Sequence, residues 1–225
     1  MQTILDDIVV AIDGPSGSGK SSTSRGVAAR LGLRYLDTGA MYRGMTWWML
    51  REGVDVHDRE AVAARASEPE ILSGTDPHGP SILVEGADVG LAIRSADVNA
   101  AVSPVSAVPE VRSRLVELQR ETIGAGSIVV EGRDIGAVVA PFAHVKVYLT
   151  ADPVARAQRR AAEEGGTDVD TTQQSLLARD AIDSTRDASP LTMAEGAVHI
   201  DTTAYTLDEV VDQVVALVEA VEAPA

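Results

Sequence analysis

Three glycines lead into a lysine and a serine near the start of the chain. The run Gly14-Pro15-Ser16-Gly17-Ser18-Gly19-Lys20-Ser21 fits the spacing G-x-x-x-x-G-K-S/T at every fixed position, and Ser22 extends it. Glycine lets the backbone turn tightly with no Cβ in the way, so successive N–H groups converge on one concavity sized for a chain of phosphates. A helix starting there adds unpaired amides and a dipole that favour the same anion. Lys20 is placed to bridge the outer phosphates, and the Ser21 hydroxyl is placed to sit on Mg2+. A glycine-rich turn that binds nothing is the alternative, and the flanking sequence argues against it. An apolar β-branched run, Ile8 to Ile12, precedes the glycines, and a helical pattern follows. The run therefore predicts a nucleoside triphosphate site.

The elements that position this loop follow from composition. Hydrophobic residues make up 45% of the 225 and aromatics only 3%, so the core is built from Val, Leu, Ile and Ala, as in a parallel α/β sheet. After the loop, Thr23, Val27 and Leu31 recur at helical spacing and Gly32 is a stop. Further buried strands are predicted at Ser127 to Glu131, His144 to Leu149 and Ala197 to Ile200. Thr206-x-x-Glu209 caps a last helix whose Leu207, Val210, Val211, Val214, Val215 and Val218 form an apolar face. Between about residues 73 and 120 the alternating pattern lapses. Glycines bracket a short β-type run at Gly79 to Gly90, and helices follow at Ser95 to Ser103 and Pro109 to Ile123, the latter carrying Arg112 at the edge of its apolar stripe. This stretch reads as an insert in a core of residues 1–72 and 121–225.

Outside the loop, polar groups cluster where ligands sit in open α/β sheets. Arg133 and Asp134 lie just past the carboxyl end of a predicted strand. Asp37 to Arg43 leads into a second helix that Thr38 can cap. Asp152-Pro153 starts a helix on which Arg156, Arg159 and Arg160 share a face, either a solvated side or a clamp for phosphates. Gly165-Gly166 breaks it, and Thr171-x-x-Gln174 reads as the capping box of the next, so residues 155–172 have the form of a movable lid. Arg179, Asp183 and Arg186 then converge within an arc of about 60° on that second helix.

Bulk charge narrows the partners. The net charge of −15 argues against a nucleic-acid or anionic-membrane surface, which needs clustered Lys and Arg. There is no cysteine, so disulfide and thiolate chemistry are excluded. No signal-peptide pattern opens the chain, and the expectation is a cytoplasmic protein, monomeric for want of any long unexplained apolar stripe.

Together, GPSGSGKSS at Gly14 to Ser22, DTGAMYR at Asp37 to Arg43, the long insert, EGRDIG at Glu131 to Gly136, the arginine-rich lid helix and RDAIDSTR at Arg179 to Arg186 resemble the nucleoside monophosphate kinases, most closely the bacterial cytidylate kinase family. The resemblance covers nearly the whole chain. It implies a three-layer P-loop NTPase fold, with a five-stranded parallel sheet, helices on both faces, a monophosphate-binding insert and a short lid. It implies transfer of a phosphoryl group from ATP, with Mg2+, to CMP or dCMP. Carried over position by position, Lys20, Arg133, Arg156, Arg160 and Arg179 would neutralise the transferring phosphoryl group, and Arg159 would join the loop on the donor phosphates. Thr38, Arg43, Arg133 and Arg186 would hold the monophosphate, with Asp134 and Asp183 in the same pocket, Ser103 at the cytosine edge and Arg112 reaching the base or the phosphate. Glu131 stands where the family commonly has Asp, Thr38 where it often has Ser, and Ala137 where Thr is frequent. Two rivals remain open at this point: a P-loop kinase for UMP or another small acceptor, and a nucleotide-dependent regulatory switch.

Overall fold

The computed structural model describes residues 7–163, 166, 168–185 and 191–222. Arg186 and Gly165 lie outside them.

Five parallel strands form the core sheet: β1 (Val9–Asp13), β2 (Arg34–Asp37), β6 (Ile128–Gly132), β7 (Val145–Thr150) and β8 (Val198–Asp201). Their spatial order is β2-β6-β1-β7-β8, which puts the P-loop strand in the centre. Alternation of side chains along β1 builds the two layers. Ile8, Val10 and Ile12 face one cluster with Val27 and Ala28 of α1 (Lys20–Leu31) and Val210, Val214 and Val218 of α8 (Leu207–Glu222). Val9 and Ala11 face the other, with Met41 and Met45 of α2 (Thr38–Arg51) and Leu115 of α5 (Pro109–Ile123). Among the described residues, no helix is long and apolar enough to cross a membrane.

A separate antiparallel sheet of β3 (Ile71–Ser73), β4 (Ile82–Val84) and β5 (Ala87–Asp88) packs on α2, after the short α3 (Arg59–Ala64). A Cβ on Gly44 of α2 would stand 3.1 Å from Val84, so the missing side chain lets helix and sheet approach closely. A 3-10 turn, Ala92–Arg94, then leads to α4 (Ala96–Ser106), which also lies against α2. α6 (Pro153–Glu163) and α7 (Val169–Thr185) form the hairpin beside the P-loop.

Most helix starts fall where local chemistry puts them. Asp152 accepts from Val154 N–H ahead of α6, and Thr206 and Glu209 exchange the bonds of a capping box on α8. Three readings change. Asp37, not Thr38, caps α2: it keeps extended backbone and its carboxylate accepts from Ala40 N–H, while Thr38 is already helical. Asp168, not Thr171, caps α7, accepting both the N–H and the hydroxyl of Thr171. Leu207 is 48% exposed rather than part of the α8 apolar face, because it sits on the first turn before the helix reaches the sheet.

Candidate active site

The carboxyl ends of β1, β2, β6 and β7 all open on the same edge, where parallel α/β sheets place their ligands. The P-loop rises from β1 there. Gly17 and Gly19 take φ of 75° and 88°, the left-handed region that favours glycine, and a Cβ on Gly17 would meet the Arg156 carbonyl at 2.8 Å. Gly19 is the N-cap of α1, so the amides that follow are free of intrahelical partners. The Lys20 ammonium donates to the Pro15 carbonyl at 2.7 Å, curling back across the loop it closes.

A cavity of about 340 Å³ extends from this loop to the insert. Ser16, Gly17, Gly19, Lys20, Ser21 and Ser22 line one end. Thr38, Arg43, Arg112, Arg133, Asp134 and Asp183 line the other, and Arg160 and Arg179 lie between. The residues that were widely spaced in sequence are therefore gathered into one basic space. Ser106 lines it, whereas Ser103, one turn earlier on α4, is buried outside the lining. A smaller cavity of about 210 Å³ lies across the P-loop, walled by Gly17, Ser18, Gly19, Ser22, Arg159 and Tyr205 among others. Gly14 and Pro15 support the loop from beneath and line neither.

The three lid arginines are split by the structure, not presented as one face. Arg156 is buried, donating to the Ser16 carbonyl at 3.1 Å and pairing with Asp180. Arg159 donates to Thr202 Oγ1 and to its carbonyl at 2.9 and 2.8 Å, at the smaller cavity. Arg160 alone of the three lines the larger one. The α6 turn thus straddles the P-loop.

Arginines in the acceptor half are held by carboxylates or carbonyls. Arg133 donates to Asp183 and to the Gly14 carbonyl, both at 2.9 Å. Arg112 pairs with Asp134, both nearly solvent-free. Arg43 donates to the Ile93 carbonyl and to Asn99 Oδ1, at 3.0 and 2.7 Å. Asp13, at the end of β1, accepts the N–H groups of Ile135 and Gly136 at 2.8 Å each and so fixes the π-helical turn, Ile135–Val139, that follows Arg133 and Asp134.

Burial and crowding of like charges shape the electrostatics. Burial, then the Arg133 guanidinium, pulls Lys20 down to about 7, against the pull of Glu131 and Asp13. Burial, then Asp37, pushes Glu131 up to about 7. Arg43 falls to about 9 through burial and the nearby Arg179, Arg160 and Arg94. Arg179 falls to about 10 through burial and Arg133. Cations that depress one another inside a cleft mark a place built for an anion.

Glu131 also organises the Ser21 side of the loop. Its Oε2 accepts from the Ser21 hydroxyl at 3.0 Å, and its Oε1 accepts from the buried Tyr35 hydroxyl. Thr38 donates to the Glu131 carbonyl at 2.7 Å. The hard oxygens of Ser21 and Glu131 suit Mg2+. Among the described residues there is no group of three or more His, Cys, Asp and Glu that could hold a metal ion.

Several lining or supporting residues were not picked out from sequence: Arg25, Asp37, Arg94, Asp180 and Asp13. Asp37 and Asp180 stand inside the quoted runs DTGAMYR and RDAIDSTR, next to residues that were singled out. Arg25 and Arg94 carry no local signal.

Comparison with known proteins gives the family. The family described as Cytidylate kinase matches residues 10–220. The cytidylate kinase of Streptomyces avermitilis is 58% identical over 214 residues, 94% of this chain and 93% of its own. That of Nocardia farcinica is 53% identical over 92% of this chain and 91% of its own, and that of Mycobacterium leprae 49% over 96% and 97%. A solved structure of an uncharacterized protein from Eubacterium ventriosum, 12% identical, shares the fold with a TM-score of 0.53, covering 95% of this chain and 99% of its own. The chain belongs to the cytidylate kinase family.

Proposed function

We propose that the protein transfers the γ-phosphoryl group of ATP to CMP or dCMP, giving ADP and CDP or dCDP. Family membership supports the reaction, and one observation carries it here: a single basic cavity joins the P-loop to the insert, so donor phosphates and a monophosphate acceptor share one space. The rival reading as a regulatory switch has no use for that second anion pocket.

In this reading the P-loop amides and Lys20 hold the donor phosphates, and the smaller cavity beside Arg159 takes the donor base. Thr38, Arg43, Arg133 and Arg186 hold the acceptor phosphate and ribose, with Asp183 near the sugar. On α4 it is Ser106 rather than Ser103 that, with Arg112 and Asp134, lies toward the cytosine. The acceptor is already an anion near neutral pH, so it needs no strong general base. An acceptor phosphate oxygen bonds to the γ-phosphorus as the bond from that phosphorus to the β–γ bridging oxygen breaks, and the electron pair leaves on ADP. The protein's part is positioning and charge neutralisation of a loose, in-line transition state. Lys20, Arg133, Arg160 and Arg179 supply the field, and Arg156 braces the loop through the Ser16 carbonyl. A donor phosphate favours the charged form of Lys20 and so opposes the effect of its burial. Ser21 would hold Mg2+, with Glu131 beside it; bound Mg2+ supplies charge neutralisation at the phosphates. Closure of the α6–α7 hairpin keeps water from competing as acceptor.

We place the reaction in the cytosol and in the monomer, on small molecules rather than nucleic acid or membrane, a choice supported by the −15 charge. The test is ADP formation from Mg-ATP, alone and with CMP, dCMP, UMP, AMP or GMP. Strong stimulation by CMP and dCMP is expected, with little by the purines. Failure of every monophosphate to stimulate would leave a nucleotide-binding P-loop without this reaction.

A further inference from the structure

We infer that Tyr35 is a positioning residue for the metal side of the site, setting the rotamer of Glu131 that faces Ser21. The inference rests on the reading above that Mg2+ binds at Ser21.

Strand register places the two residues. Tyr35 pairs with Val129 and Asp37 with Glu131, so Tyr35 and Glu131 project from the same face of adjacent strands, one two-residue step apart. That face is the one covered by α1, whose first turn carries Ser21. The phenol ring belongs to the buried cluster that also holds Ile12, Val27 and Val129, and its hydroxyl donates to the carboxylate. The carboxylate of Glu131 is thereby held at both oxygens, by Tyr35 at Oε1 and by Ser21 at Oε2.

Chain length explains why this support is needed. Glutamate has one more rotatable bond than the aspartate common at this position, and both Lys20 and Ser21 lie near its carboxylate. An unsupported buried carboxylate oxygen is costly and would draw the group to another donor. The phenol satisfies that oxygen from the side away from the cavity and leaves the other for Ser21 or for a water on the ion. Tyr35 itself lies outside the cavity lining, so it acts only through Glu131. Outer groups of this kind orient metal-facing ligands, and their loss typically costs about 10- to 100-fold in metal affinity.

The experiment is calorimetric titration of ADP with and without Mg2+ on the wild type, Tyr35→Phe, Glu131→Asp and the double variant, with thermal unfolding of each as a check on folding. Tyr35→Phe keeps the ring and removes only the hydroxyl. Expected is a loss of about tenfold in the affinity gained from Mg2+, with binding in EDTA changed less than about twofold. In the Glu131→Asp background, Tyr35→Phe should cause no further loss, because the shortened carboxylate no longer reaches the phenol. An intact Mg2+ increment in Tyr35→Phe, or additive losses in the double variant, would overturn the inference and leave Tyr35 a packing residue. If the wild type gains nothing from Mg2+, the metal reading itself fails instead. Should Tyr35→Phe not fold, Tyr35→Leu, which also removes the hydroxyl, takes its place: the same loss of the Mg2+ increment is expected, and a wild-type increment would overturn the inference.

Discussion

The two ends of the cavity hold anions in opposite ways. At the donor end the site is built from backbone: glycines in left-handed conformations, free amides at the start of α1, and one lysine. At the acceptor end it is built from side chains, and the arginines there are braced by groups from distant segments, as Arg133 by Asp183 and Arg112 by Asp134. A backbone site is rigid and indifferent to most substitutions. A site of buried ion pairs is aligned before substrate arrives, and each pair couples binding to the stability of the fold. The acidic residues of this protein thus serve partly to hold its arginines still.

The strongest test of that contrast is Lys20→Ala. It removes the one lysine of the P-loop, so turnover should fall by about a hundred- to a thousandfold while far-UV circular dichroism stays the same. Near-normal turnover would mean that the amides alone suffice. At the acceptor end, Arg133→Ala should damage the fold as well as the chemistry. It takes from the buried Asp183 carboxylate one of its charged partners, at a cost of about 1.5–3 kcal/mol in urea denaturation. An Arg133→Met, Asp183→Leu pair should recover much of that stability and none of the activity. Equal stability of the single and double variants would refute the pairing account.

A smaller effect comes from Asp13, where the two ends meet. Burial raises its carboxyl from 3.8 to about 6 despite two backbone N–H donors. The folded state therefore binds the proton more tightly than the unfolded state. This contribution is complete below 3.8 and is lost as pH rises through about 6, amounting to about 3 kcal/mol at most. Asp13→Asn should remove that slope from stability measured across the window. An unchanged slope would assign it to other groups.

What could be read from sequence was whatever chemistry is local. The P-loop, the Asp152 and Thr206–Glu209 caps and the apolar run of β1 each declare themselves within a few residues. Where two adjacent residues are both of capping type, as with Asp37 and Thr38, the sequence pointed to the wrong one, Thr38. The extended backbone at the end of β2 decides, because only Asp37 is still outside the helix. The bracing of the arginines was out of reach for a different reason. Arg156 meets Asp180 across the α6–α7 hairpin, and Glu131 meets Ser21 and Tyr35 across neighbouring elements of the sheet, and these contacts leave no period or motif behind. The same holds for Arg25 and Arg94, which reach the cavity from helix and turn positions that look like ordinary surface.

The strand order has a consequence for how the molecule comes into being. β1 is made well before its neighbours in the sheet, which begin only at Ile128 and Val145. The small antiparallel sheet and the helices around it can pair with close neighbours in sequence while β1 waits. Through that interval a β-branched apolar strand stands with both edges open, the condition in which nascent chains most need a chaperone. The phosphate cradle therefore matures late, although its residues are made before the strands that flank β1.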